Sequence, residues 1–168
     1  SRTPRFLTFS CHRRLQLLGN RQWRDAFVES LRAARDRHGF GLIAWVVMPE
    51  HVHLILLPGG VPDRVAVPEI MRGIKQPVAQ RAIRRWRFLD AAVLDRIRVG
   101  ERYRYWQAGG GYDRNLRDAD ALSEAVEYVH WNPVKRGLVE EPTDWAWSSA
   151  RWYAGEREGQ VPIDRVSW

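Results

Sequence analysis

Two histidines, His51 and His53, are separated by one residue inside the otherwise apolar stretch HVHLILL. Side chains two apart on a β-strand point to the same face, with Cβ atoms roughly 7 Å apart, so two imidazoles can converge on one metal ion. Burying both rings without a metal requires a hydrogen-bonding partner for each of them. From this segment alone, a metal site and a pair of hydrogen-bonded core histidines are both open.

A second set of polar side chains lies near residue 130. Tyr128 and Asn132 are four residues apart and therefore neighbours on one helix edge, whereas His130 is turned to nearly the opposite side. A phenol can act as a nucleophile and is a fair leaving group when the new bond must later be reversed. Two histidines and an amide oxygen, with positions left for phosphate oxygens, would suit Mg²⁺ or Mn²⁺. The alternative is that Tyr128 only caps the apolar face of its helix.

The hydrophobic pattern predicts the elements that carry these residues. Strands are expected over 5–10, 41–47, 51–57 and 102–107, and helices over 22–38, 67–88 and 118–130. Pro77 is expected to bend or break the second helix, and Pro133 to end the third helix near Asn132. The order of elements predicts an α+β fold with a ferredoxin-like βαββαβ core. This core is an antiparallel sheet with helices on one face, here followed by a C-terminal helical extension.

Composition indicates an ordinary single-domain globular protein. The chain has 168 residues, of which 45% are hydrophobic and 28% charged, and residues 1–150 are expected to form one domain followed by a tail over 151–168. The sequence contains no apolar run long enough for a membrane span, and the polar stretch SRTPRFLTFS is not expected to be a signal peptide. A single cysteine, Cys11, allows no internal disulfide and fits a reducing cytoplasm.

The basic residues favour a polyanionic partner. The net charge is +7, and all 27 basic residues except Lys75 and Lys135 are arginines, whose planar fork matches phosphate. On the second predicted helix, Arg72, Lys75 and Arg84 could follow a DNA backbone, although a solvated helix face explains them equally well. Lys135 and Arg136 follow the Tyr128 edge and are stronger candidates for phosphate contact. Lys135 could instead interact with the helix C-terminus.

Two segments together resemble the signatures of the REP-associated tyrosine transposases, a branch of the single-tyrosine HUH transposases. WVVMPEHVHLILLP resembles the HUH motif, two histidines around an apolar residue. YWQAGGGYDRNLRDADALSEAVEYVHWNPVKRGLVEEPTDWAWSS resembles the second signature, in which a tyrosine stands four residues before the asparagine of an NPVK-type motif. The resemblance is specific over residues 40–57 and 102–150.

The resemblance implies a ferredoxin-like fold and a transposase that cuts single-stranded DNA near palindromic hairpins through a 5′-phosphotyrosine intermediate. Tyr128 would be the nucleophile, and His51 and His53 would bind the divalent metal, Mg²⁺ or Mn²⁺. Asn132 is the expected third ligand, although related transposases carry the longer glutamine at that place. The branch is generally regarded as monomeric, so a monomer is expected rather than a homodimer, in the bacterial cytoplasm and associated with the nucleoid.

Two other functions are open at this point. A non-catalytic protein derived from a transposase could bind hairpin DNA, but a pure binder would need neither Tyr128 nor the two histidines. A replication or mobilisation initiator would share the chemistry, but such proteins usually carry further domains.

Overall fold

A four-stranded antiparallel sheet forms the centre of the protein in the computed structural model, which describes residues 3–59, 66–109 and 111–167. The strands of the chain are β1 (Arg5–Ser10), β2 (Gly41–Val47), β3 (His51–Leu57), β4 (Arg98–Val99), β5 (Arg102–Tyr103) and β6 (Tyr112–Asn115). The sheet has the order β2–β3–β1–β6, whereas β4 and β5 pair separately. All neighbouring strands are antiparallel. This order is the ferredoxin-like arrangement, which confirms the predicted fold class.

The helices follow from apolar periodicity and from their end residues. They are α1 (Arg21–His38), α2 (Val67–Leu89), α3 (Val93–Ile97), α4 (Ala119–Lys135) and α5 (Ala150–Tyr153). Helix α1 begins after Asn20, whose side chain accepts a hydrogen bond from the Gln22 backbone N–H, and it ends at Gly39, where φ is 65°. None of the helices in the described residues has a stretch apolar enough to cross a bilayer.

Different helices cover the two faces of the sheet. Helices α1 and α2 pack on the face that includes Leu7 and Leu54, whereas α4 packs through Val129 on the face that includes Phe6 and Ile55. Strand alternation places both histidines of β3 on the α4 face, as the sequence predicts. The fold therefore puts the helix that carries Tyr128 above the strand that carries the histidines.

The fourth strand of the sheet differs from the prediction. The segment 102–107 contributes only β5 and an isolated bridge between Trp106 and Cys11, and β6 takes the sheet edge beside β1. Tyr105 and Trp106 are both buried, but residues 104 and 105 belong to no strand and Trp106 makes only that isolated bridge. The edge strand YDRN is exposed throughout and carries no apolar alternation, so the hydrophobic pattern does not reveal it.

Neither proline breaks the helix that contains it. Helix α2 continues through Pro77, although proline has no N–H to bond to the Gly73 carbonyl one turn earlier. The Ser30 hydroxyl of α1 lies beside that carbonyl and donates a hydrogen bond to the Ile74 carbonyl (2.7 Å). Helix α4 continues through Pro133 to Lys135, one turn beyond the expected end. Proline near a helix terminus removes a single internal hydrogen bond, which the last turn tolerates.

The C-terminal segment lies against the body of the protein. Tyr153 donates a hydrogen bond to the Ile43 carbonyl (2.7 Å), and Val161 is buried in the core. Asp164 accepts hydrogen bonds from the Arg35 guanidinium and from the Leu42 backbone N–H. The predicted boundary between domain and tail at residue 150 stays a prediction, and residue 168 lies outside the described residues.

Candidate active site

The two histidines form a close pair at the start of β3. His51 and His53 are each 5% exposed, and their Nε2 atoms are 3.1 Å apart. The strand register sets Ser10 opposite His51 and Thr8 opposite His53, so β1 forms one wall of the pair. The same-face orientation predicted from spacing is therefore present, and both rings direct Nε2 to one point.

Each imidazole is held through its other nitrogen. Oε1 of Glu50 lies 2.9 Å from Nδ1 of His51, and Oγ1 of Thr8 lies 2.7 Å from Nδ1 of His53. An ionised carboxylate can accept a hydrogen bond but cannot donate one, so the proton of the neutral His51 ring is on Nδ1. Its Nε2 therefore carries a lone pair. Carboxylate and hydroxyl partners of this kind orient metal-binding histidines.

Burial keeps both rings in the neutral form. It lowers the pKa of His53 to about 3, and the neighbouring His51 lowers this pKa further. Burial also lowers the pKa of His51, although the Glu50 carboxylate opposes that shift. Neutral imidazole is the form that binds metal ions, so the pair is prepared for a cation at neutral pH.

The Asn132 side chain completes this donor set. Its Nδ2 lies 3.4 Å from Nε2 of His53, and its buried Oδ1 has no hydrogen-bond partner among the described residues. The two amide atoms are interchangeable by a flip, which would turn the oxygen to the histidines. A buried amide oxygen without a partner, beside the Nε2 atoms of two neutral imidazoles, fits a bound cation.

No group of three or more His, Cys, Asp or Glu side chains is arranged to hold a metal within the described ranges. The protein ligands available at the pair are therefore the two imidazoles and the Asn132 amide. Such a set leaves coordination positions for oxygens of a substrate.

Tyr128 lies directly beside the pair. The centroid of its ring is 5.4 Å from that of His53 and 6.1 Å from that of Phe6, and the residue is 44% exposed. The Lys135 ammonium is 5.4 Å from the Tyr128 ring centroid. Tyr128, Lys135 and Glu124 line a cavity of about 380 Å³. The phenol is therefore open to solvent on one side and touches a candidate metal ligand on the other.

Glu50 connects the two halves of the site. Its carboxylate is 4% exposed, and Oε1 lies 2.6 Å from an Nη1 nitrogen of Arg136 at the end of α4. Arg14 lies farther from it, at 3.7 Å. Burial raises the pKa of Glu50, but the hydrogen bonds from Arg136 and His51 outweigh burial and lower the pKa overall. The carboxylate is therefore ionised at neutral pH.

The predicted DNA-contacting residues of α2 have different environments. Arg72 and Arg84 are exposed, whereas Lys75 is partly buried, with its ammonium 5.1 Å from the Phe9 ring and 5.7 Å from the Trp106 ring. Burial lowers the pKa of Lys75. Arg72 and Lys75 line a cavity of about 500 Å³ whose described lining contains no carboxylate. These residues lie on the α2 layer, separate from Tyr128.

Sequence reasoning did not assign Glu50 and Thr8, which support the histidines. Glu50 directly precedes His51, but its adjacency alone does not show that its carboxylate contacts the ring, and Thr8 lies on another strand. His130 points away from the site, as predicted, and its Nε2 lies 2.8 Å from the Ser149 hydroxyl.

The model of a transposase family, Transposase IS200 like, matches residues 6–117 of the chain. The match spans more than half of the sequence and includes both histidines. The chain belongs to the IS200-like transposase family. The matched region ends before Tyr128, so the family match does not bear on the role of this tyrosine.

Two comparisons extend over nearly the whole of this IS200-like transposase. It is 29% identical over 160 residues to the REP-associated tyrosine transposase of Escherichia coli (strain K12), covering 95% of this chain and 82% of that protein. It is also similar to a solved REP-associated tyrosine transposase bound to a REP hairpin, with a TM-score of 0.67, 26% identity and coverage of 98% and 86%. The resemblance to REP-associated tyrosine transposases is thereby confirmed.

Proposed function

We propose that this IS200-like transposase is a metal-dependent enzyme that cuts and rejoins single-stranded DNA through Tyr128. The observation that carries the proposal is the contact between the rings of Tyr128 and His53, 5.4 Å apart, within one chain. A phosphate beside the phenol would also be beside the histidine pair. Nucleophile and metal ligands would then act on the same phosphate group.

The chemistry requires one bond to form and one to break. The phenolic oxygen of Tyr128 attacks phosphorus, the P–O3′ bond breaks, and the products are a 5′-phosphotyrosine and a free 3′-OH. The phenolic proton passes to solvent, and the departing 3′ oxygen takes up a proton. Attack by a 3′-OH on the phosphotyrosine reverses the step and rejoins a strand.

His51, His53 and Asn132 would hold the divalent cation, Mg²⁺ or Mn²⁺. When bound, such a cation polarises the phosphate and offsets the charge that develops on its oxygens. Of the two, Mn²⁺ fits better, because imidazole nitrogens dominate the donor set and Mg²⁺ prefers oxygen ligands. Lys135 adds a positive charge on the Tyr128 side.

Basic residues outside the site would bind the DNA backbone. Arg72 and Arg84 are exposed on α2, and Lys75 faces a cavity with an aromatic wall and no described carboxylate. Cationic grooves with aromatic side chains are typical of single-strand binding, since bases stack while phosphates pair with the cations. The similar solved protein is bound to a REP hairpin, so we infer that hairpin-containing DNA is the substrate here.

A non-catalytic hairpin-binding protein is the alternative. Incubation of the protein with a single-stranded hairpin oligonucleotide and Mn²⁺ separates the two, because only the enzyme forms a covalent adduct that survives denaturing electrophoresis. We expect Tyr128→Phe to abolish the adduct while DNA affinity changes by less than about threefold.

Tyr112→Phe is the matched control. Tyr112 is also exposed, and its ring lies 6.1 Å from the Phe6 ring, the same separation as for Tyr128. It has no described ring contact with His53. We expect Tyr112→Phe to retain the adduct. Tight hairpin binding without any adduct in the unmodified protein would favour the binder.

A single chain supplies every residue of the proposed site. The histidine pair, Asn132 and Tyr128 meet without a second subunit, so we propose that the protein acts as a monomer. Location with the bacterial nucleoid follows from the proposed substrate and stays a prediction.

A further inference from the structure

We propose that Glu50 is a positioning residue that fixes the nucleophile helix α4 to the histidine strand β3. This inference rests on the proposed function. It assigns to Glu50 and Arg136 a role in assembling the site, and it gives Arg136 a partner other than the DNA phosphate expected from the sequence.

The first observation is the double contact of one carboxylate oxygen. Oε1 of Glu50 lies 2.9 Å from Nδ1 of His51 and 2.6 Å from Nη1 of Arg136. His51 belongs to β3, whereas Arg136 is the residue directly after α4. The same atom therefore joins the element that carries the metal ligands to the element that carries Tyr128 and Asn132.

The second observation is the burial of this carboxylate. Glu50 is 4% exposed, and its other oxygen, Oε2, is buried without a hydrogen-bond partner among the described residues. A buried charge is costly unless it is paired, so the carboxylate depends on its few contacts. Arg14, 3.7 Å away with a side chain that is 62% exposed, is a weaker substitute. Movement of α4 away from β3 would leave the carboxylate without its closest cation.

The third observation is the short distance from Arg136 to the reacting groups along the chain. Arg136 follows Lys135, whose ammonium is 5.4 Å from the Tyr128 ring centroid, and its backbone N–H bonds to the Asn132 carbonyl (3.0 Å). An anchored Arg136 therefore fixes the helix turn that presents Asn132 to His53. Small displacements of such groups slow a reaction strongly without affecting substrate binding.

The test uses Glu50→Gln, Arg136→Met and the double variant in the full chain. Three quantities are measured: the single-turnover rate of adduct formation at saturating hairpin DNA, the DNA dissociation constant, and Mn²⁺ affinity from the electron paramagnetic resonance signal of free Mn²⁺. Glu29→Gln is the matched control, because Glu29 is an exposed carboxylate paired with Arg81 at 3.0 Å.

We expect Glu50→Gln to lower Mn²⁺ affinity and the saturated rate by roughly tenfold or more, as loss of an outer-shell partner does. Arg136→Met should slow adduct formation with DNA affinity unchanged within about twofold. Arg136→Lys should restore most of the rate, because a lysine can still pair with the carboxylate. The double variant should be no slower than the worse single variant, since both changes break one linkage. Glu29→Gln should match the unmodified protein.

The inference would be overturned if Glu50→Gln left both the Mn²⁺ affinity and the saturated rate unchanged. It would also be overturned if Arg136→Met weakened DNA binding but kept a normal saturated rate. If Glu50→Gln does not fold, Arg136→Met and Arg136→Lys decide, because the Arg136 side chain is 45% exposed. Absence of any adduct in the unmodified protein would contradict the proposed function instead, and Mn²⁺ affinity would then test Glu50 alone.

Discussion

The histidine pair illustrates how partners on different elements determine what two side chains can do. His51 and His53 share a face because they are two apart on a strand, and that much follows from spacing. Their readiness for a cation depends on Glu50 and Thr8, which occupy Nδ1 of each ring and leave the two Nε2 atoms directed at one point. The Thr8 contact comes from a neighbouring strand, and the Glu50 contact depends on how the chain bends before β3, so the spacing of the two histidines does not reveal either.

Thr8 is expected to act on the metal site through His53. Thr8→Val removes the hydroxyl 2.7 Å from Nδ1 of His53 but retains a β-branched side chain suited to a strand. We expect Mn²⁺ affinity to fall by about tenfold, because the ring loses the contact that orients it. Titration of Mn²⁺ measures the change, with Thr8→Ser as the control that retains the hydroxyl. Equal affinity in both variants would contradict an orienting role.

Cys11 is expected to be chemically inert in the folded protein. Its side chain is fully buried, and burial raises the pKa of the thiol to about 12. The reactive thiolate is therefore scarce at pH 8. We expect no reaction with a thiol-specific chromogenic reagent in the native protein and one equivalent in 6 M guanidinium. Rapid native labelling would show that this part of the core opens readily.

At the scale of elements, the sequence predicts best the strands and helices that carry a clear hydrophobic pattern. Strands β1 to β3 and helix α1 agree with the predicted ranges. Strands β2 and β3 are apolar runs buried on both faces, and the buried residues of α1 recur with the helical period. The polar edge strand β6 has no such signal. Helix α2 continues through Pro77 beside the Ser30 hydroxyl of α1, a tertiary contact that the local sequence pattern does not contain.

Helix α4 is expected to depend on its N-cap. Asp118 accepts a hydrogen bond from the Ala121 backbone N–H at 2.8 Å, and its charge suits the helix N-terminus. We expect Asp118→Ala to lower the free energy of unfolding by about 1 kcal/mol. The corresponding fall in Tm is about 2–4 °C for a chain of this size. Thermal denaturation followed by circular dichroism measures it, and Asp118→Asn should retain most of the stability.

At the scale of the whole molecule, the net charge of +7 is expected to appear in the salt dependence of DNA binding. Each phosphate contact contributes roughly 0.7 to 0.9 to the slope of log K against log salt. We expect the double variant Arg72→Gln, Arg84→Gln to reduce this slope by that amount per arginine.

The control double variant is Arg32→Gln, Arg157→Gln, which removes the same charge from α1 and from the C-terminal segment. Both slopes are obtained from the fluorescence anisotropy of a labelled hairpin, measured at salt concentrations from about 50 to about 300 mM. Equal slopes in the two double variants would show that α2 does not follow the DNA backbone.

The central claim is that Tyr128 forms the covalent bond to DNA. Its most direct test is mass spectrometry of the trapped adduct after digestion with nuclease and trypsin, which releases the peptide of residues 118–135. We expect that peptide to carry a nucleotide joined through its 5′-phosphate to Tyr128, and the released strand to end in a free 3′-OH. A label on Tyr112 or on any other residue, or a 3′-linked phosphate, would contradict the account.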